Sequence, residues 1–154
     1  MKRFYILMAI CALCTSCLKY GLPDLDNSDK CELTSITFEH RWTVKNSNGY
    51  EQMARQILAL DQNTPDSNNE IFLAITVPEP NGVFTQKVRE QVTLDRLYLT
   101  SIISPAAKIT PVGDTPKMGY PSKFEINRLY EYQVTAANGK KAIYKIIITD
   151  FKNR

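Results

Sequence analysis

The chain is poor in the residues that most active sites are built from: it has one histidine, one tryptophan, four cysteines and six glycines in 154 residues. Each scarcity excludes something. A soft-metal centre needs several His or Cys ligands, and His40 stands alone. The six glycines are scattered, so there is no Gly-rich loop to cradle a phosphate. Neither Gly-x-Ser-x-Gly nor His-Glu-x-x-His occurs, and no EF-hand spacing is present. The close acidic pair Asp24 and Asp26 lies among turn formers, where no pocket would raise a carboxyl pKa for acid catalysis. A Ser-His-Asp triad would have to use His40. That residue sits between Phe38 and Trp42 on an alternating strand, the setting of a packed inner or rim histidine. The expectation is a protein with no catalytic set, no metal and no cofactor.

Excess charge is missing too. The formal net charge is +3, with 23% charged residues, too balanced to argue for nucleic acid as a partner. No later segment reaches the ~18 uncharged apolar residues of a spanning helix.

What is present begins at the N-terminus. Lys2 and Arg3 precede an uncharged, mostly apolar run from Phe4 to Leu13. That run is shorter than the roughly 20 residues of a transmembrane helix and has the form of a secretory signal. The run closes on Leu13-Cys14-Thr15-Ser16-Cys17, which resembles the lipobox of bacterial lipoproteins. Cys14 stands where a branched aliphatic residue is commoner, and it is still small and apolar. The resemblance implies cleavage after residue 16 and attachment of lipid to the Cys17 thiol. Loss of Lys2 and Arg3 takes the charge from +3 close to +1. Acyl chains contribute about 0.8 kcal/mol per buried methylene, so the mature protein would be held at a membrane without a spanning helix. The implied place is the outer membrane, on either face.

Cysteine usage follows. Cys11 and Cys14 leave with the signal and Cys17 takes the lipid, so Cys31 has no partner for an intramolecular disulfide. Nothing beside Cys31 marks it as reactive, so it reads as a bland thiol. Residues 17–31 read as a lipidated N-terminus and tether, with turn formers and the acids Asp24, Asp26 and Asp29. Acids just after the lipidated cysteine accompany surface export in Bacteroidota lipoproteins; here they start seven residues on.

Residues 32–154 read as one β-domain. Ile36, Phe38, His40, Trp42 and Val44 alternate with polar residues, the period of a half-buried strand. Asn46 to Gly49 is a turn. Residues 51–62 fit either a helix or a strand; their neighbours favour a strand. Ile71–Val77 is an apolar β-branched run that reads as a central strand, and a further strand is expected within 83–93. Leu97–Ile103 and Ala106–Thr110 read as strands, and 111–122 as a loop. Leu129–Ala136 and Lys141–Asp150 flank Asn138-Gly139, a hairpin signal. A two-residue loop would set Tyr132 against Lys145 and mix the faces. A three-residue loop, residues 137–139, pairs Ala136 with Lys140 and sets Tyr130, Tyr132 and Val134 against Ile146, Tyr144 and Ala142. Gly139 then takes the left-handed position, and the apolar set stays on one face. About seven strands without a convincing helix predict an antiparallel β-sandwich.

Three stretches together resemble the Ig-like or cadherin-like sandwich modules of Bacteroides-type surface lipoproteins. They are Leu33-Thr34-Ser35-Ile36-Thr37-Phe38, then Ser104-Pro105-Ala106-Ala107-Lys108-Ile109-Thr110-Pro111, then Tyr132-Gln133-Val134-Thr135-Ala136-Ala137-Asn138-Gly139 with Tyr144-Lys145-Ile146. The resemblance implies a non-enzymatic binding or assembly module. Its partners would be a polysaccharide or the proteins of an outer-membrane glycan-uptake system; the alternative is a subunit of an envelope complex. Aromatic rings stack on the C–H faces of sugars, which makes Trp42, Tyr50, Tyr98 and Tyr120 the candidate contacts. Tyr50 and Tyr120 neighbour Gly- and Pro-containing loops. The alternative role for Trp42 is packing in the core.

Overall fold

The computed structural model describes residues 28–153. The signal, Cys17 and the tether as far as residue 27 lie outside the described residues. Nine strands follow one another: β1 (Leu33–Lys45), β2 (Glu51–Ile57), β3 (Ala59–Leu60), β4 (Glu70–Thr76), β5 (Leu97–Ile103), β6 (Lys108–Pro111), β7 (Pro121–Ser122), β8 (Leu129–Thr135) and β9 (Lys141–Lys152). A single helical turn, α1 (Gln86–Arg89), precedes a 3-10 turn at Leu94–Arg96. The strands form two sheets, ordered β2-β1-β5-β7 and β3-β4-β9-β8-β6. The architecture is an all-β sandwich, as the alternation predicts, and seven of its strands are four or more residues long.

Each strand presents its apolar period to the space between the sheets. Ile36 and Phe38 of β1 and Leu97 and Leu99 of β5 meet Ile71, Leu73 and Ile75 of β4, Tyr130, Tyr132 and Val134 of β8, and Tyr144, Ile146 and Ile148 of β9. Phe38, Phe124 and Tyr130 form an edge-to-face series, with ring centroids 5.1 and 5.3 Å apart, that links β1 to β8. Residues 51–60 are strand, and they change sheets at buried Leu58, whose N–H donates to the Phe38 carbonyl at 2.9 Å. Exposed Met53 and Ile57 gain nothing from a helical stripe here, because β1 supplies hydrogen bonds along their backbone.

The terminal hairpin has the register that its apolar pattern requires. Tyr130, Tyr132 and Val134 pair with Ile146, Tyr144 and Ala142. The Ala136 N–H donates to Lys140 O at 2.8 Å, and Gly139 has φ 90°. The Ser28 carbonyl accepts from the Asn138 N–H at 3.2 Å, and Tyr144 donates its hydroxyl to Cys31 O at 3.1 Å. Cys31 is a buried free thiol in the core.

Two features depart from the sequence-based expectation. The pairing of β4 with β9 is parallel, unlike every other strand pair. Parallel neighbours need a long crossover, and here the chain crosses to the opposite sheet and back between them. Thr149 is bulged out of that pairing and donates its hydroxyl to Leu73 O at 3.0 Å. The second departure is residues 83–93, which hold α1 rather than a strand. Thr85 caps that turn through its hydroxyl, and Phe84 and Val92 bury without any strand partner. Local capping and burial by a neighbouring loop replace the ladder expected there.

A turn between β5 and β6 offers a stability test. Ala106 is exposed at φ 63°, a left-handed conformation that costs a non-glycine residue about 1–2 kcal/mol. Ala106→Gly relieves that strain but loses more chain entropy on folding. The expected net gain is about 0.5–1 kcal/mol in urea denaturation.

Candidate functional site

Strand β1 outruns its neighbour. Its pairing with β2 continues to Lys45, whereas its pairing with β5 stops at Glu39 opposite Tyr98. From His40 onward β1 therefore has a strand partner on one side alone. The inner-face residues of this extension, His40 and Trp42, are covered by the segment that joins β4 to β5. Trp42 packs on Phe84 with centroids 5.7 Å apart, and His40 stacks on Trp42 at 5.8 Å and 19°. The covering segment is fixed at several points. The Arg89 guanidinium donates to Pro78 O at 3.0 Å, and the Asn153 amide donates to Arg89 O at 3.3 Å and Val92 O at 2.9 Å.

Where the covering segment meets the free side of β1 there is a pocket of about 280 Å³. It is lined by His40, Arg41, Trp42, Thr43, Met53, Gln91, Arg96 and Tyr98. His40 is only 7% exposed, yet neither ring nitrogen has a hydrogen-bond partner; the indole nitrogen of Trp42 is also unpartnered. Three unpaired buried ring nitrogens in one spot are unusual, because a buried polar group without a partner costs about 1–3 kcal/mol. Burial first, and the Arg96 charge second, hold the His40 pKa below its ordinary value. The imidazole is accordingly neutral at pH 7, with one nitrogen a donor and the other an acceptor.

The other charges near the pocket are mostly engaged. Glu39 is buried on the outer face of β1 and receives Arg41 at 2.7 Å and Arg55 at 3.3 Å. The Arg41 guanidinium also lies 4.4 Å over the Tyr98 ring. Asp95 pairs with Lys123 at 3.8 Å. Among the described residues Arg96 has no acidic partner, and no Asp or Glu lines the pocket.

A pH prediction follows from His40. Its folded pKa lies below the unfolded value of about 6.5. Between those two values the unfolded chain binds the extra proton, so stability falls as pH drops below about 6.5 and levels off below the folded pKa. His40→Phe is expected to lose less unfolding free energy than the parent between pH 7 and pH 5. An identical loss in both proteins would refute this.

The sequence-predicted contacts separate in space. Trp42 is half-buried; it packs against the core and also lines the pocket. Tyr98 lines it as well. Tyr50 is 71% exposed in the β1–β2 turn, and Tyr120 is 56% exposed beneath Lys117. Tyr50 lies beyond the Lys45 end of β1, while Gly119 bonds to Leu99, which pairs with Phe38. Those positions are roughly 20 Å apart along the strand, so Tyr50 and Tyr120 do not form one platform. Gln91 and Arg96 escape a sequence reading, because only the fold brings them to His40. Among the described residues there is no group of three His, Cys, Asp or Glu arranged to hold a metal ion, and no helix long and apolar enough to cross a membrane.

The fold defines a small two-sheet β-sandwich with a pocket at the end of β1. The chain belongs to the DUF5018-related family, whose model matches residues 33–147. It is similar to a crystal structure of a Bacteroides fragilis protein provisionally described as secreted, with 29% identity and a TM-score of 0.70 over 80% of this chain and 98% of that one. No curated protein matches it.

Proposed function

We propose that the protein is a lipid-anchored, non-enzymatic module of the outer membrane that captures a glycan in the pocket beside His40 and Trp42. The observation that carries the binding part is the pocket itself: aromatic rings meet arginine, amide and hydroxyl side chains where β1 lacks a partner on its β5 side. Small-molecule sites combine an apolar surface with a few convergent polar groups, and this one does so on rigid strand. The lipobox-like Leu13–Cys17 and the likeness to a Bacteroides protein described as secreted support an envelope location.

Affinity gel electrophoresis through a panel of plant and host polysaccharides tests the glycan part. At least one polysaccharide should retard the protein, and Trp42→Ala should abolish the retardation while Tyr50→Ala leaves it unchanged. No retardation on any polysaccharide would end this reading.

A second reading, a partner-binding subunit of an envelope complex, rests on β2. This seven-residue strand is a sheet edge, and it shows Met53 at 66% and Ile57 at 50% exposure. An open edge with apolar side chains can accept a strand from another chain. Co-purification of a stoichiometric envelope partner that is lost in Met53→Lys/Ile57→Lys would favour it over glycan capture.

A further inference from the structure

We infer that the pocket beside His40 takes a negatively charged ligand group, a carboxylate carried on a sugar ring. This rests on the glycan reading and narrows it to acidic saccharides. The argument is the balance of groups around the pocket. Its lining holds two guanidinium groups, an amide, a hydroxyl and a phenol, together with the His40 and Trp42 rings, and no carboxylate.

One of the two guanidinium groups is already neutralised, because Arg41 is held by Glu39. Arg96 is not, and it is exposed at the mouth with Gln91. A carboxylate there gains a charge-assisted hydrogen bond, which Arg can offer through two parallel N–H groups. The rings of His40 and Trp42 form the inner wall. Their three unpartnered nitrogens include the indole N–H, a donor that has no other use in the fold. A neutral sugar would leave Arg96 unpaired, and a cationic ligand would face the Arg96 charge with no acid in the pocket lining. The volume, about 280 Å³, suits one ring-sized group better than an extended chain.

Trp42 is the sole tryptophan, so the membrane-extracted protein in detergent reports on this site through a single indole N–H resonance. Galacturonate should shift that resonance saturably. Galactose, its neutral counterpart, should bind at least about tenfold more weakly, the worth of a hydrogen bond to a charged group. Arg96→Gln should remove the difference between the two sugars, and Arg96→Lys should restore part of it. Arg96 is exposed, so neither variant threatens the fold. Acetate serves as the arm without a sugar ring, and polygalacturonate and galactan as the polymer arms.

The outcomes separate the two ideas. Equal binding of galacturonate and galactose would overturn the charge preference and leave glycan capture standing. An indole shift with acetate equal to that with galacturonate would keep an anion pocket and remove the sugar from it. A galacturonate shift unaffected by Arg96→Gln would overturn the assignment to Arg96. Silence toward every acid would overturn the inference, even with retardation by a neutral galactan.

Discussion

Truncating Phe38 to alanine is expected to lower the free energy of unfolding by about 3–5 kcal/mol, the range for removing a large buried ring. Phe38 is fully buried in the middle of β1, paired with Leu99 of β5 on one side and bonded through its carbonyl to the Leu58 N–H on the other, so the sheet around it cannot collapse into the space. The loss extends beyond transferred area. Phe38 lies edge-on to Phe124, and Phe124 edge-on to Tyr130, so the truncation also strips the loop before β8 of its contact with the facing sheet. Domains of this size are stable by only about 5–15 kcal/mol, so this single change removes a large fraction. Urea denaturation should show a lower midpoint at an unchanged slope. A loss below about 1 kcal/mol would mean that the Phe38 ring is not the link between the sheets.

Replacing Cys17 with serine is expected to shift the protein from the membrane pellet to the soluble fraction. It should also abolish incorporation of labelled palmitate. Among the described residues no helix is long and apolar enough to cross a membrane, so the proposed lipid carries the attachment that Cys17→Ser removes. A serine hydroxyl does not form the thioether that holds a diacylglyceryl group. Cys31→Ser is the matched control. That thiol is buried in the core, so its loss costs some stability but leaves the protein in the pellet. Retention of Cys17→Ser in a carbonate-washed pellet would refute lipid anchoring at this position and point to a protein partner, such as one docked on β2.

How much of the fold was legible depended on the range of the forces involved. The hairpin of β8 and β9 is set by Asn138-Gly139 and by an apolar period that tolerates one register, and both signals lie within about twenty residues. β1 was legible for the same reason, because a long alternating run has one buried face. Residues 83–93 misled because Val83, Val88 and Val92 carry β-branched side chains. Val92 is buried and Val88 partly so without joining a ladder, and Val83 stays exposed. The parallel pairing of β4 with β9 has no local signature, since a continuous apolar run such as Ile71–Val77 pairs in either direction.

The candidate site divides in the same way. Trp42 and His40 could be picked out as an aromatic and an isolated histidine on one strand. Glu39 could not be recognised as buried, because its burial depends on Arg41 two residues on and on Arg55, which only the pairing with β2 places beside it. Tyr50 and Tyr120 were attractive as exposed rings in loops. The strand order places them at separate ends of the sheet, where exposure alone does not make a common surface.

By itself the sequence determined what is written in periods and short spacings: a chain of strands with one apolar face each and a hairpin in a single register. The tertiary structure alone decided where β1 runs past β5 and which loop covers the gap. Arg96 and Gln91 lie about fifty residues from His40 in the chain, and no local propensity connects them. They meet because β4 hands the chain across the end of the sandwich before β5 begins, and burial of Phe84 and Val92 draws that crossing down onto Trp42. Hydrophobic burial set the path, and the polar pocket formed where the path left β1 uncovered.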